Sequence, residues 1–279
     1  MVGERFGSKL LKFYIPLILY LMFLLFPFYW MFNTVFKSDK ELYNLNLNPL
    51  YIHTPTLDNI VHLFKETIFL RWMYNTFFVA ILSTVISLVA SLLAAYAIQR
   101  IRYRTSGPTG VAIFLSYLVP QTILFIPLAH VIFTLRLWDS LWSLVLTYPT
   151  FLVPFCTWLL MGYFKSIPKE MEECAMIDGA SRIKVFRRII LPLCLPGVLS
   201  AGIFCFTLSW NEFIYALAFI STTSSKTVPI GLVTELVRGD VYHWGPLMAG
   251  ALCASVPVAL VYSFFVEHYV AGMTGALKE

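Results

Sequence analysis

Charged side chains are scarce in this chain. Asp, Glu, Lys and Arg make up 13% of its 279 residues, while 59% are hydrophobic and 24 are Phe. So little polar surface excludes a water-soluble globule of this size and points to an all-α protein that crosses a lipid bilayer several times. Nucleotide chemistry is missing too: no Gly-x4-Gly-Lys-Ser/Thr loop occurs to cradle phosphates, so any ATP hydrolysis must come from another subunit. The five histidines, His53, His62, His130, His243 and His268, show no metal-ligand spacing, and none pairs with a nearby Ser or Cys in a nucleophile motif. That leaves no catalytic group, no metal site and no cofactor for this chain to hold. The five cysteines lie within apolar runs or in one polar stretch, which argues against an extracellular disulfide framework.

What is abundant is apolar length. A window near the thickness of a bilayer finds six spans, at 13–32, 75–98, 111–135, 141–164, 193–220 and 244–266, all within a single domain covering 1–279. With the amino terminus inside, 13 Lys or Arg fall in inner segments and seven in outer ones. The positive-inside rule therefore puts both termini in the cytoplasm. The net charge of +5 follows these inner residues and calls for no nucleic-acid partner. Residues 13–32 also have the basic flank of a signal peptide, but 20 apolar residues with no small-x-small cleavage site fit a retained anchor better.

Between the fourth and fifth spans lies a polar island, Lys165 to Arg188, whose 24 positions hold six Lys or Arg and four Asp or Glu. Burying it in hydrocarbon would cost about 25–35 kcal/mol, so it stands outside the membrane. Pro168 suits the start of a helix, and Glu170, Glu172 and Glu173 follow where the helix dipole favours anions. Met171, Cys174, Ala175 and Asp178 share one face, opposite Glu172. Gly179 supplies a left-handed helix stop and Ser181 a cap for the next helix. The spacing predicts a helix, a sharp bend and a second helix running into the following span.

Glu173-Cys174-Ala175, then Gly179, then Ile189-Ile190-Leu191-Pro192 resemble the cytoplasmic signature of ABC importer permeases, with Cys174 standing where that family usually has Ala. The resemblance implies that 165–188 is a coupling loop docking into an ATP-hydrolysing subunit through Met171, Glu172, Glu173, Cys174, Ala175, Asp178 and Gly179. Further segments resemble the carbohydrate-uptake branch, specifically its second, shorter permease as in the maltose system. They include Pro55-Thr-Leu-Asp-Asn59, Asn75-Thr76, Ala94-Ala-Tyr-Ala97, Pro120-Gln121, Ser209-Trp-Asn-Glu-Phe213 and Gly272-Met-Thr-Gly275. By this resemblance the partners are a homologous second permease, two ATPase subunits that use ATP and Mg, an extracytoplasmic sugar-binding protein and membrane lipid. The location is a bacterial or archaeal plasma membrane. An importer for a polyol, glycerol phosphate or amino acid stays open, as does a membrane-embedded enzyme or channel.

Solute contact has to be sought among polar groups at membrane depth, where an unpaired one is expensive. In a continuous fifth span Glu212 sits roughly 12 Å below the outer end at 1.5 Å per residue. Asn211 and Glu212 suit sugar hydroxyls, Trp210 and Tyr215 offer flat faces to a pyranose ring, and Gln121 beside Pro120 is the third-span counterpart. Asn75 and Tyr117 are further candidates. The alternative is that Asn211 and Glu212 hold helices together. Trp30, Trp72, Trp142 and Trp158 read as interface belt and packing. On the outer side, Leu57, Ile60, Val61 and Phe64 describe an amphipathic surface helix. The loop from Ser221 to His243 is either a contact for the binding protein or a connector.

Overall fold

The computed structural model describes the backbone of residues 10–101, 103–238 and 241–275. Among the described residues four helices are long and apolar enough to cross a membrane: Leu11–Val35, Phe69–Ile101, Leu141–Ser166 and Trp244–Phe265. The number rises to six if each of two bent helix pairs counts as one span. Both bent pairs turn at prolines, which kink a helix, and the bends are sharp enough to break the apolar runs into separate helices. In place of a helix over 111–135 there are two, Ser106–Tyr117 and Gln121–Thr134, bent by 96°. Pro120 stands at the corner with φ −57° and ψ 132°. It lacks an N–H, and its ring disfavours helix at the residue before it, so the chain must turn there. The second pair, Arg182–Leu193 and Leu195–Trp210, bends by 72° in a stretch flanked by Pro192 and Pro196.

The chain divides into two compact units. One comprises residues 1–70 and 232–256, the other 71–231 and 257–279. In the first, α1 (Ile15–Val35) presents its apolar side chains outward along nearly its whole length, with none of its apolar window buried inside the chain. The loop after α1 is pinned by two side chains. Glu41, in the single turn α2 (Asp39–Leu42), accepts from the backbone N–H groups of His53 (2.8 Å) and Thr54 (2.9 Å) and from the Thr54 hydroxyl (2.7 Å). Desolvation pushes its carboxyl up, but these hydrogen bonds outweigh that and bring it down to about 2. The amphipathic helix appears as α3 (Asp58–Lys65). Leu57, Val61 and Phe64 point outward from it, while Leu63 and Asn59 turn inward. The Asn59 amide donates to the carbonyls of Val35 (2.9 Å) and Lys37 (2.7 Å). A two-residue hairpin, β1 (Val237–Arg238) with β2 (Val241–Tyr242), belongs to the same unit, and Tyr43 Oη donates to the Tyr242 carbonyl (2.7 Å).

In the second unit α4 (Phe69–Tyr96) continues as a π turn through Ile101. After the bent pair α5 (Ser106–Tyr117) and α6 (Gln121–Thr134) come α7 (Leu141–Thr147) and α8 (Pro149–Ser166). The α7–α8 run is the most enclosed of the spans, with 56% of its window buried. Its inward residues Leu144, Tyr148, Leu152, Cys156, Leu160 and Phe164 recur at every fourth position and form the middle of the core. Against it packs α11 (Leu195–Trp210), which follows two short helices in the polar island, α9 (Glu170–Ile177) and α10 (Arg182–Val185). Close approach of α8 and α11 depends on Gly197, because a Cβ there would sit inside the Tyr163 ring. Cys156 and Cys205 meet between the same two helices, Cα to Cα 7.3 Å.

The fifth span expected over 193–220 is interrupted as well. After α11 ends at Trp210, residues 211–213 are non-helical and α12 (Ile214–Phe219) follows. The loop after it then forms α13 (Val228–Leu236) before α14 (Trp244–Gly275).

Candidate functional site

The polar island folds as its sequence requires. Three acidic residues in the first turn suit the amino-terminal end of α9. At its carboxyl end Gly179 adopts φ 83°, and the N–H groups of Gly179 and Ala180 reach back to the carbonyls of Met176 (3.1 Å) and Ala175 (3.0 Å). This is the Gly-terminated stop that leaves few carbonyls unpaired. The Ser181 hydroxyl then accepts from the Lys184 N–H (3.4 Å) and starts α10. Met171, Glu173, Cys174, Asp178 and Gly179 are all exposed, and Ala175 is half-buried against the core.

Glu172 departs from the expected docking set. It turns inward and is 8% exposed, its Oε1 lying 2.9 Å from Nε of Arg100, a residue of the π turn after α4. The physical reason is position on the helix: a residue opposite the Met171, Cys174 and Asp178 face must point back at the spans, and a carboxylate is retained there because a guanidinium meets it. In its place the structure exposes Ile177 (84%) and Ile183 (70%), two large apolar side chains on either side of the Gly179 bend. Sequence reading passed over both, although an apolar residue within a polar, membrane-excluded loop is itself a signal.

The second group of expected site residues lies where the two helix breaks meet. Glu212 is 6% exposed and caps α12, its Oε1 accepting from the Tyr215 N–H (2.8 Å) and its Oε2 from the Ala216 N–H (3.1 Å). Fully buried Tyr215 donates its hydroxyl to the carbonyl of Gln121 (3.2 Å), the first residue after the α5–α6 corner. The first turn after one break is thus tied to the first turn after the other. Trp210 is 3% exposed and packs on Phe77 and Phe206, ring centroids 4.8 and 5.4 Å away. Of the fifth-span set only Asn211 is exposed, its amide donating to the Thr207 carbonyl (2.9 Å), and Gln121 is half-buried. Because α11 ends at Trp210, Glu212 does not have the depth that a continuous helix would give it.

Asn75 also differs from expectation, while Trp72 takes the packing role expected of it. The Asn75 amide donates to the carbonyls of Ser224 (2.9 Å) and Lys226 (2.8 Å), and the Trp72 indole to the carbonyl of Thr223 (2.9 Å). Both are buried, so Asn75 serves as an anchor for the 223–226 turn and Trp72 stands apart from any interface belt. The start of that loop is clamped independently. The Asp139 carboxylate accepts from the N–H groups of Ser221 (2.8 Å) and Thr222 (2.9 Å) and from the Thr222 hydroxyl. Burial pushes this carboxyl up, and the hydrogen bonds to Thr222 and Ser221 bring it below its usual range. Tyr117 is exposed, with its ring 5.5 Å from that of Phe155.

Comparison with known proteins places this arrangement of bent spans and a polar helix–bend–helix in a family. The profile of the family described as "Binding-protein-dependent transport system inner membrane component" matches residues 104–275. The chain belongs to that family. The permease is 36% identical to the sulfoquinovosyl glycerol transport system permease protein SmoH of Agrobacterium fabrum, over 99% of this chain and 96% of that one. It is 35% identical to the trehalose/maltose transport system permease protein MalG of Thermococcus litoralis, over 91% of each chain. Among solved structures, a chain of a bacterial ABC transporter for import of the acidic polysaccharide alginate superposes with a TM-score of 0.81 at 18% identity, covering 96% of the permease and all of that chain. At that identity the likeness speaks for the fold, which is that of an ABC importer permease. The permease is thus a multi-pass membrane protein and a transport subunit.

Proposed function

We propose that the permease is the transmembrane subunit of an ATP-driven carbohydrate importer, lining the translocation path beside a homologous second permease. Force enters through the 165–188 loop, which docks on the ATPase by Met171, Glu173, Cys174, Ala175, Asp178 and Gly179, with Ile177 as an apolar anchor. ATP and Mg belong to two separate ATPase subunits, and a sugar-binding protein delivers solute on the outer side. Both termini face the cytoplasm. Nucleotide binding closes the ATPase pair, the docked bend moves as a rigid lever, and the bent spans open the path outward.

The observation that carries this reading is the exposed bend itself. A membrane-excluded helix stop with apolar side chains turned away from the spans has no use in an isolated chain, and it fits a socket on a soluble partner. Carbohydrate is favoured as cargo because the relatives named above carry a sugar glycoside and disaccharides. Within the path, Asn211 and Gln121 are the polar groups left accessible, whereas Trp210, Glu212 and Tyr215 act by holding the two helix breaks in register. Purification of the permease from its native membrane tests the assembly: an ATPase and a second permease co-purify. Binding of labelled sugars to the accompanying solute-binding protein tests the cargo. Isolation of the permease without any ATPase would refute the proposal.

A further inference from the structure

The Arg100 guanidinium lies where three segments of the second unit converge. Its Nη2 donates to the carbonyls of Phe164 (2.6 Å) and Ile167 (2.7 Å), at the carboxyl end of α8. Its Nε lies 2.9 Å from Glu172 of α9, and both side chains are withdrawn from solvent, at 4% and 10% exposure. One turn earlier, the Tyr96 ring sits between Phe164, just before the polar island (6.0 Å), and Phe186, near the island's end (4.8 Å). The inner end of α4 therefore grips the loop at its entry, at its first helix and at its exit.

We propose that Arg100 and Glu172 form a strut that passes movement of the docking helix into the second span, making Arg100 a positioning residue for energy coupling. The inference rests on the docking role proposed above for 165–188. Without such a strut α9 is joined to the spans through its flanking backbone, at Ile167–Lys169 and through the Gly179 bend, and through the packing of the small Ala175 side chain on the core, links that can flex or slide. A buried ion pair is stiff: breaking it leaves a charge without a partner, so α9 and the inner end of α4 shift together. Arg suits the position because its Nη2 donates to both carbonyls while its delocalised charge lies against the carboxylate at Nε, which a Lys ammonium on a single stem does not reproduce.

The test uses the complete importer, with its ATPase and binding protein, reconstituted in vesicles, and reads solute taken up per ATP hydrolysed. Glu172→Gln removes the charge and keeps the shape. The ATPase should still co-purify, while uptake per ATP falls about 5-fold or more, the lower end of ordinary coupling between sites. Glu172→Asp, which keeps the charge on a shorter stem, should restore part of the ratio. A merely structural role would lower the amount of assembled complex and leave that ratio unmoved. If Glu172→Gln does not assemble, Arg100→Lys decides on the same ratio. An unchanged ratio in the assembled variant overturns the strut. Absence of ATPase from the wild-type complex would instead overturn the docking role, so the two failures are distinguishable.

Discussion

Gly179 is the most economical place to perturb the proposed lever. Its φ of 83° lies in the left-handed region, and a Cβ built there meets nothing within 4 Å. Gly179→Ala therefore introduces no clash, and its effect is confined to the backbone, about 1–2 kcal/mol against the native bend. That corresponds to roughly a 5- to 30-fold shift away from the docked geometry. Gly179→Pro forbids the positive φ altogether and also removes the N–H now donated to Met176, about 1 kcal/mol more. Gly179→Asn is the control, because Asn tolerates the left-handed region. Reconstituted vesicles should rank solute moved per ATP as Asn above Ala above Pro, with Pro close to zero. Thermal unfolding of the subunit should stay within about 0.5 kcal/mol for Asn and fall by no more than the about 1–2 kcal/mol of backbone strain for Ala. Full coupling in Gly179→Pro would refute the reasoning.

Two further outcomes follow from the pinned carboxylates. Glu212→Ala deprives two buried N–H groups of a charged acceptor, each such bond being worth about 1.5–3 kcal/mol, and should lower the melting temperature of the detergent-solubilised subunit, with Glu212→Gln milder. A Glu212→Ala subunit that melts unchanged but fails in transport would reassign this residue to solute contact. Glu41 has a depressed carboxyl, so its contribution is complete above its ordinary 4.5 and is lost as pH falls toward about 2. Hydrogen exchange in the 37–56 loop should therefore stay slow down to acid pH and accelerate only within that window, whereas Glu41→Gln accelerates it at neutral pH. Loss of protection above the window would contradict the assignment.

Much of this molecule was legible in its sequence, for reasons that can be stated residue by residue. The polar island had to leave the membrane on charge alone, and Gly179 and Ser181 announced the bend because few other residues serve as left-handed stop and hydroxyl cap. Spans four and six appeared close to their expected limits. Pro120, Pro192 and Pro196 mark where the spans kink, but hydropathy is blind to direction: α5 and α6 are apolar on both sides, and nothing local sets their corner at 96°. Periodicity grouped the residues of α9 correctly, yet the partner that draws Glu172 inward is Arg100, remote in sequence and beyond the reach of any local pattern. Glu212 was legible as a polar residue at depth, but not as a cap. That role depends on α11 ending at Trp210, where no Gly or Pro signals a stop.

Native Cys174 offers the most direct test of the central claim, that force from an ATPase enters through the inner-face bend. It is exposed, whereas Cys156, Cys194 and Cys205 are buried and Cys253 is half-buried. A membrane-impermeant maleimide should label Cys174 in inside-out vesicles stripped of ATPase, should fail to label it in right-side-out vesicles, and should be blocked when the ATPase is added back. Labelling of Cys174 from the outer side, or labelling indifferent to the ATPase, would contradict the account.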